Sequence, residues 1–154
     1  EPKKIYRAIK QEVPEEKYTI PIGKAKIVSE GTDLTIVTYG AMVREAQRAI
    51  VSAKKAGYSV ELIDLRTIYP IDRETIANSV KKTGRLLVVN EGPTSFGVGS
   101  EIVTIANEDA FLSLEAPPKR LGGFDTVAPL PKGEHFYFFK GDRIFYEIDK
   151  LMKY

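Results

Sequence analysis

The chain of 154 residues contains no cysteine and only one histidine, His135. Disulfides, iron–sulfur clusters and thiolate zinc sites are therefore excluded, and a lone histidine does not make a dedicated metal site. The lack of cysteine is compatible with a reducing compartment. No apolar run approaches the roughly 20 residues that cross a bilayer, so no membrane partner is expected. The start, Glu1-Pro2-Lys3-Lys4, has neither an initiating methionine nor the apolar stretch of a secretory signal, which reads as a processed or excised piece. Charge of one sign is also lacking: 23 basic against 21 acidic side chains leave +2, which indicates no nucleic-acid partner. No Gly-x-Ser-x-Gly elbow and no Gly-Lys-Ser/Thr phosphate loop occur.

What is present is one domain's worth of chain with an ordinary globular balance, 43% hydrophobic and 29% charged. Three short, almost continuously apolar runs, 34–39, 60–65 and 86–89, have the pattern of strands buried on both faces. Between them the period is helical. Val43, Ala46, Ile50 and Ala53 mark one helix face, with Gly57 after its last turn. Asp72 is placed to cap a second helix that buries Ile76, Ala77 and Val80 and stops before Gly84. A third helix carries Val98, Ile102, Ile105 and Ala106. Strand and helix alternating at roughly 25-residue spacing predict right-handed βαβ units around a parallel sheet.

A short fourth strand is expected at 119–121, and Asp142 is expected to cap a terminal helix facing Ile144, Phe145, Ile148, Leu151 and Met152 inward. Residues 135–139 suggest one more strand. The aromatic residues concentrated near the C-terminus, from Phe136 to Phe139 with Phe145, Tyr146 and Tyr154, are expected mostly in the core. Residues 1–32 show no compact element and read as an arm entering a domain of residues 33–154 from elsewhere.

Chemistry is thin. Gly92-Pro93-Thr94-Ser95-Phe96-Gly97-Val98-Gly99 sits between strand and helix, where amide groups could hold a phosphate. Ile102, however, occupies the third glycine position of a dinucleotide fingerprint, so a tight turn allowing close backbone approach is favoured. Ser52-Ala53-Lys54-Lys55 and Lys82-Thr83-Gly84 imitate a penicillin-binding site, but no Ser-Asp-Asn element accompanies them. Glu91 and Asp125 should lie near the carboxyl edge of the sheet, where ligands of open α/β sheets bind, though loop bracing accounts for both.

Longer blocks carry a resemblance. Val13-Pro14-Glu15-Glu16-Lys17-Tyr18-Thr19-Ile20-Pro21-Ile22-Gly23 resembles the linker opening the C-terminal domain of 2-oxoacid dehydrogenase beta subunits, the pyruvate and branched-chain decarboxylating components. Asp33-Leu34-Thr35-Ile36-Val37-Thr38-Tyr39-Gly40-Ala41-Met42-Val43, Ile63-Asp64-Leu65-Arg66-Thr67-Ile68-Tyr69-Pro70-Ile71-Asp72, Ser79-Val80-Lys81-Lys82-Thr83-Gly84-Arg85-Leu86, Ala116-Pro117-Pro118-Lys119-Arg120-Leu121 and Asp125-Thr126 are similar to that family's following blocks. Two departures stand out: Asn90-Glu91-Gly92-Pro93 replaces the His-Glu-Ala-Pro frequent in relatives, and the residues after Asp125 diverge.

The resemblance implies a three-layer α/β fold of the transketolase C-terminal type, with a five-stranded, mainly parallel sheet and helices on both faces. It implies oxidative decarboxylation of a 2-oxoacid with acyl transfer to a lipoyl group, using thiamine diphosphate and magnesium held outside this chain. It further implies a cytoplasmic protein (mitochondrial matrix in a eukaryote) whose partners are a pyrimidine-binding N-terminal domain of the same subunit, an alpha subunit, a second beta subunit and the subunit-binding domain of a lipoyl acyltransferase. No catalytic, cofactor-binding or metal-binding residue is assigned to this chain. An assembly role predicts contact surfaces at Ala46, Ala49 and Ala53, at Glu91, Phe96, Gly97, Gly99 and Asp125, and at Asp142 and Tyr154, with Glu147 and Asp149 as further carboxylates facing a basic module. Equivalent domains of a transketolase, a deoxyxylulose-phosphate synthase or an oxoacid:ferredoxin oxidoreductase are the alternatives, as is a free-standing anion- or nucleotide-binding module.

Overall fold

A computed structural model describes residues 5, 6, 8–10 and 12–154. The three apolar runs form β2 (Leu34–Thr38), β3 (Val60–Asp64) and β4 (Leu86–Pro93). A strand buried on both faces has no polar side, so these runs are apolar nearly throughout. β2 pairs in parallel with β3 on one side and β4 on the other, and β4 pairs in parallel with β5 (Lys119–Gly123). A further strand, β1 (Lys26–Ser29), runs antiparallel to β3 with an irregularity between Ile27 and Ser29. The five-stranded order is therefore β1-β3-β2-β4-β5.

Helix α1 (Met42–Lys55) and the terminal helix α5 (Gly141–Met152) cover one face, burying Ala46, Ala49, Ala53, Ile144 and Ile148 against Leu34, Ile36 and Leu62. The other face carries α2 (Arg73–Thr83) and α3 (Val98–Ala110), which bury Ile76, Val80, Ile102 and Ile105 against Val37, Ile63 and Val88. Consecutive strand residues thus feed opposite cores, as the pleat requires. The three-layer, mainly parallel architecture agrees with expectation. The chain leaves β2 towards β3 over one face and returns past it to β4 over the other. A constant crossover hand demands that change of face.

Local chemistry sets the helix ends. The Asp72 side chain accepts the Thr75 amide at 3.2 Å, capping α2 as expected, and Gly84 closes the same helix at φ 68°. A side chain on Gly84 would also run into Glu115.

Four expectations are corrected. A regular element does precede Leu34: β1 lies at the sheet edge, and its exposed Lys26 and Ile27 hide it from an apolar pattern. Residues 135–139 form no strand. Glu134–Tyr137 is the short helix α4, turned inward because the Tyr137 hydroxyl donates to the Phe124 and Thr126 carbonyls at 3.2 and 3.4 Å. Asp142 does not cap α5, since it sits inside the first turn after Lys140 and Gly141. The C-terminal aromatic residues divide: Tyr137 is buried, Phe138, Phe139 and Phe145 are half-buried, and Phe136, Tyr146 and Tyr154 are exposed.

Candidate functional site

The carboxyl edge of the sheet gathers most of the chain's unusual local chemistry. β4 continues through Glu91, Gly92 and Pro93, so these residues belong to the strand rather than to the following loop. Asn90 is buried, and its side-chain amide donates to the Gly92 carbonyl at 2.8 Å, turning the strand end outward. Gly122 and Gly123 of β5 lie against this bend. A Cβ on Gly122 would stand 2.9 Å from the Gly92 carbonyl oxygen, and one on Gly123 2.8 Å from the Glu91 carbonyl oxygen. Only glycine permits that approach.

The short loop 94–97 is held from three directions. Thr94 donates its backbone N–H to the Gly123 carbonyl at 3.1 Å. Arg120 Nη1 donates to the Thr94 carbonyl at 2.9 Å and to Ser100 Oγ at 2.6 Å. Asp125 accepts the Ser95 amide at 3.0 Å and the Ser95 hydroxyl at 2.5 Å. The Ser95 hydroxyl, then its amide, hold the Asp125 carboxyl below the usual carboxylate range. At the loop tip Phe96 is 102% exposed with φ 54°, a left-handed conformation unusual for an aromatic residue. Non-glycine residues kept at positive φ by surrounding bonds concentrate at functional positions.

Two open cavities flank this loop system. One, of about 440 Å³, lies between the end of β5 and α4, with Phe124, Phe136, Tyr137 and Asp142 in its wall. The other, of about 360 Å³, lies over the ends of β2 and β4 and is lined by Ala41, Met42, Glu91, Phe139 and Lys140. Tyr39, the residue after β2, has its phenol pKa raised by burial and by the Glu91 carboxylate.

The residues expected at contact surfaces separate into three groups. Ala46, Ala49 and Ala53 are 0%, 1% and 0% exposed and let α1 pack against α5 within the chain, so their small-residue face is internal. Gly99 is likewise buried, beside Asn90 and Val88. Glu91 and Gly97 are half-buried, Gly97 standing before the first turn of α3. Phe96, Asp125, Asp142 and Tyr154 are exposed. Of the other carboxylates on α5, Glu147 is buried and lies 3.9 Å from Arg143, while Asp149 accepts from Tyr58 and Lys153. Both already have partners in the fold, whereas Asp142, in the first turn of α5, is exposed.

The sequence assigns no site role to Asn90, Arg120 or Tyr137, although Asn90 stands out as a departure from the family pattern. Asn90 and Arg120 build the loop system, and Tyr137 holds the segment after β5. One signal was available for Asn90, an amide side chain directly after four apolar strand residues. Among the described residues no group of three or more histidine or carboxylate side chains converges on a point where it could hold a metal ion. No cofactor-binding or catalytic role is assigned to these residues. No helix among the described residues is long and apolar enough to cross a membrane.

Residues 23–144 match the family described as transketolase, C-terminal domain. The chain is 56% identical over 153 residues to the pyruvate dehydrogenase E1 component subunit beta of Acholeplasma laidlawii, covering 99% of this chain and 47% of that protein. It is 52% identical over 134 residues to the protein of the same name from Staphylococcus aureus strain Mu50, covering 87% of this chain and 41% of that protein. The chain thus spans about half the length of the curated relatives it matches. Among solved structures, a split-gene transketolase described as an inactive beta4 tetramer superposes with a TM-score of 0.78 at 23% identity, over 93% of this chain and 46% of that one. That likeness establishes the fold. With the family match covering most of the chain, this protein belongs to the transketolase C-terminal domain family.

Proposed function

We propose that the chain is the C-terminal portion of a thiamine-diphosphate-dependent 2-oxoacid dehydrogenase beta subunit of the pyruvate type, and that it works as an assembly domain. The observation that carries this reading is the 56% identity to a pyruvate dehydrogenase E1 beta subunit along 99% of the chain. In the whole enzyme, thiamine diphosphate and magnesium supply the decarboxylation chemistry and are held by other polypeptide. This portion offers contact surfaces to the N-terminal part of the same subunit, to an alpha subunit and to a second beta subunit. Residues 1–32 are the connection to the preceding domain, with β1 anchoring them to the sheet.

The exposed Phe96 on its braced loop is the best candidate hot spot for a subunit contact. Large aromatic groups carry much of the energy of protein interfaces, and a loop whose backbone is already braced through Thr94 and Ser95 loses little entropy on binding. Asp142 and Tyr154, at opposite ends of α5, are the candidate contacts for a basic acyltransferase-binding module, where charge mainly steers encounter.

The experiment is a chimera. The matching half of the Acholeplasma laidlawii beta subunit is replaced by this chain and mixed with its alpha subunit. Thiamine-diphosphate-dependent pyruvate decarboxylation should be recovered, and a Phe96→Ala chimera should assemble more weakly while melting at the same temperature. Turnover by the 154-residue chain alone would overturn the assembly-domain reading. A chimera that folds but never joins the alpha subunit would overturn the dehydrogenase reading.

A further inference from the structure

We infer that the cavity of about 360 Å³ over the ends of β2 and β4 binds a small metabolite carrying an oxyanion, carboxylate or phosphate, together with a hydroxyl group. The first support is topological. β2 and β4 are neighbours in the sheet, yet the helices that follow them, α1 and α3, cover opposite faces. The loops leaving the two strands therefore diverge and open a crevice between them. Ligands of open α/β sheets bind at this reversal of strand order. The cavity sits there, with Ala41 and Met42 on the α1 side and Glu91 on the β4 side. Its volume is within the range of small-molecule sites.

The second support is the charge left over after internal pairing. Arg48 is held by Glu45 at 2.6 Å, and Glu45 also accepts the Gly141 amide at 3.0 Å, so this pair is already engaged. Arg44 uses one of its five N–H groups on the Ala8 carbonyl at 3.3 Å and makes no ion pair among the described residues. Lys140 and Glu91 line the same space, and among the described residues neither side chain makes a hydrogen bond or ion pair, although the Glu91 carboxylate acts electrostatically on the Tyr39 phenol. Among the described residues, two cations without an acidic partner, Arg44 and Lys140, stand against one acid without a basic partner, Glu91, which favours a ligand with net negative charge. A guanidinium and an ammonium suit an oxyanion, and the half-buried Glu91 carboxylate asks the same ligand for a donor. A hydroxyl beside the anionic group meets both requirements, which neither a bare anion nor a plain hydrocarbon does.

This inference is independent of the dehydrogenase reading. Its test is a titration of the isotope-labelled chain, followed by amide NMR, with glycerol 3-phosphate, glycerate, inorganic phosphate and potassium chloride as separate probes. Glycerol 3-phosphate or glycerate should shift the amides of Ala41, Met42 and Glu91 saturably, and the stronger of the two identifies the oxyanion. Inorganic phosphate should bind more weakly and chloride should leave these amides in place. Arg44→Gln and Lys140→Gln should each weaken binding about tenfold, whereas Lys150→Gln on the far part of α5 should not. Glu91→Gln should abolish the advantage of the hydroxylated probes over inorganic phosphate. Shifts spread over exposed lysines and removed by potassium chloride would overturn the site, as would unchanged affinity in both the Arg44 and Lys140 variants with native melting temperatures.

Discussion

Glu45 of α1 accepts the backbone N–H of Gly141 at 3.0 Å, so the first helix supplies the anionic cap of the last, 96 residues further on. The first turn of a helix leaves N–H groups without intrahelical partners, and an acidic acceptor there satisfies one and opposes the helix dipole. Gly141 is also wedged against α1, where a Cβ would stand 3.0 Å from the Glu45 carbonyl oxygen and 3.1 Å from the Ala49 nitrogen. Glu45→Ala should therefore destabilise the chain by about 1 kcal/mol, as the loss of a cap does. The Gly141 amide should exchange with solvent faster, as hydrogen-exchange NMR can measure. Unchanged exchange at Gly141 would show that the cap contributes nothing.

The buried alanine face makes a second, discriminating prediction. Ala49 is 1% exposed in the layer between α1 and α5, so Ala49→Leu has no room and should cost about 1–3 kcal/mol by overpacking. Had the small face belonged to a subunit contact, the same change would alter association and leave monomer stability alone. Urea denaturation followed by circular dichroism, beside sedimentation of the same variant, separates the two outcomes.

How much of this was legible in the sequence depends on whether the signal was local. β2, β3 and β4 announced themselves as apolar runs, and Asp72 and Gly84 marked α2 through capping chemistry that acts within a few residues. The spacing of Ala46, Ala49 and Ala53 gave a close-packing face but not its partner, which the fold supplies as α5. β1 was hidden because an edge strand with exposed Lys26 and Ile27 lacks the pattern of a buried one. Phe136 to Phe139 looked strand-like by composition, whereas long-range bonds from Tyr137 impose a helical turn. At the carboxyl edge, Asp125 and Ser95 are 30 residues apart, a pairing that no spacing rule could recover. The family blocks reported ancestry, and so fold, without saying what the cavities bind.

Asp72 ties two elements at once, since its carboxylate accepts the Thr75 amide at 3.2 Å and the Ala25 amide at 2.9 Å. Burial pushes its pKa up, but the amides of Ala25 and Thr75 outweigh burial and leave it below the ordinary 3.8. A carboxyl depressed on folding contributes stability that is present above its unfolded pKa and is lost as pH falls through the folded value. Asp72→Ala should cost about 1–2 kcal/mol at neutral pH. The gap between wild type and variant should then close as the urea midpoint is followed downward from pH 4. A gap that stays constant to strongly acid pH would refute the linkage.

Glu61 is an acid inside the sheet that apolar patterning gave no reason to expect. It is 0% exposed on β3, yet it accepts from Ser79 Oγ and pairs with Lys82 Nζ, and the Gly31 amide lies 3.4 Å away. Thr35 extends the network, 2.7 Å from both the Ser79 and Thr83 hydroxyls, so α2 is pinned to β2 and β3 by polar groups. Removing the lysine strands a buried carboxylate. Lys82→Met should cost about 2 kcal/mol, less than a fully buried pair because the lysine side chain is 41% exposed and screened by water. Adding Glu61→Leu should return part of that loss, since the uncompensated charge then disappears. The hydrogen bond to Glu61 raises the Lys82 pKa above its ordinary 10.5, with Glu30 adding to it against burial. A raised lysine contributes stability that is complete below the unfolded pKa and is lost as pH climbs through the folded one. Wild type should therefore lose its advantage over Lys82→Met only above the ordinary lysine range. Denaturant midpoints from neutral to strongly alkaline pH test this. An advantage that vanished on acidification towards pH 6, or that persisted unchanged far above the lysine range, would show that the ion pair is not what pins α2.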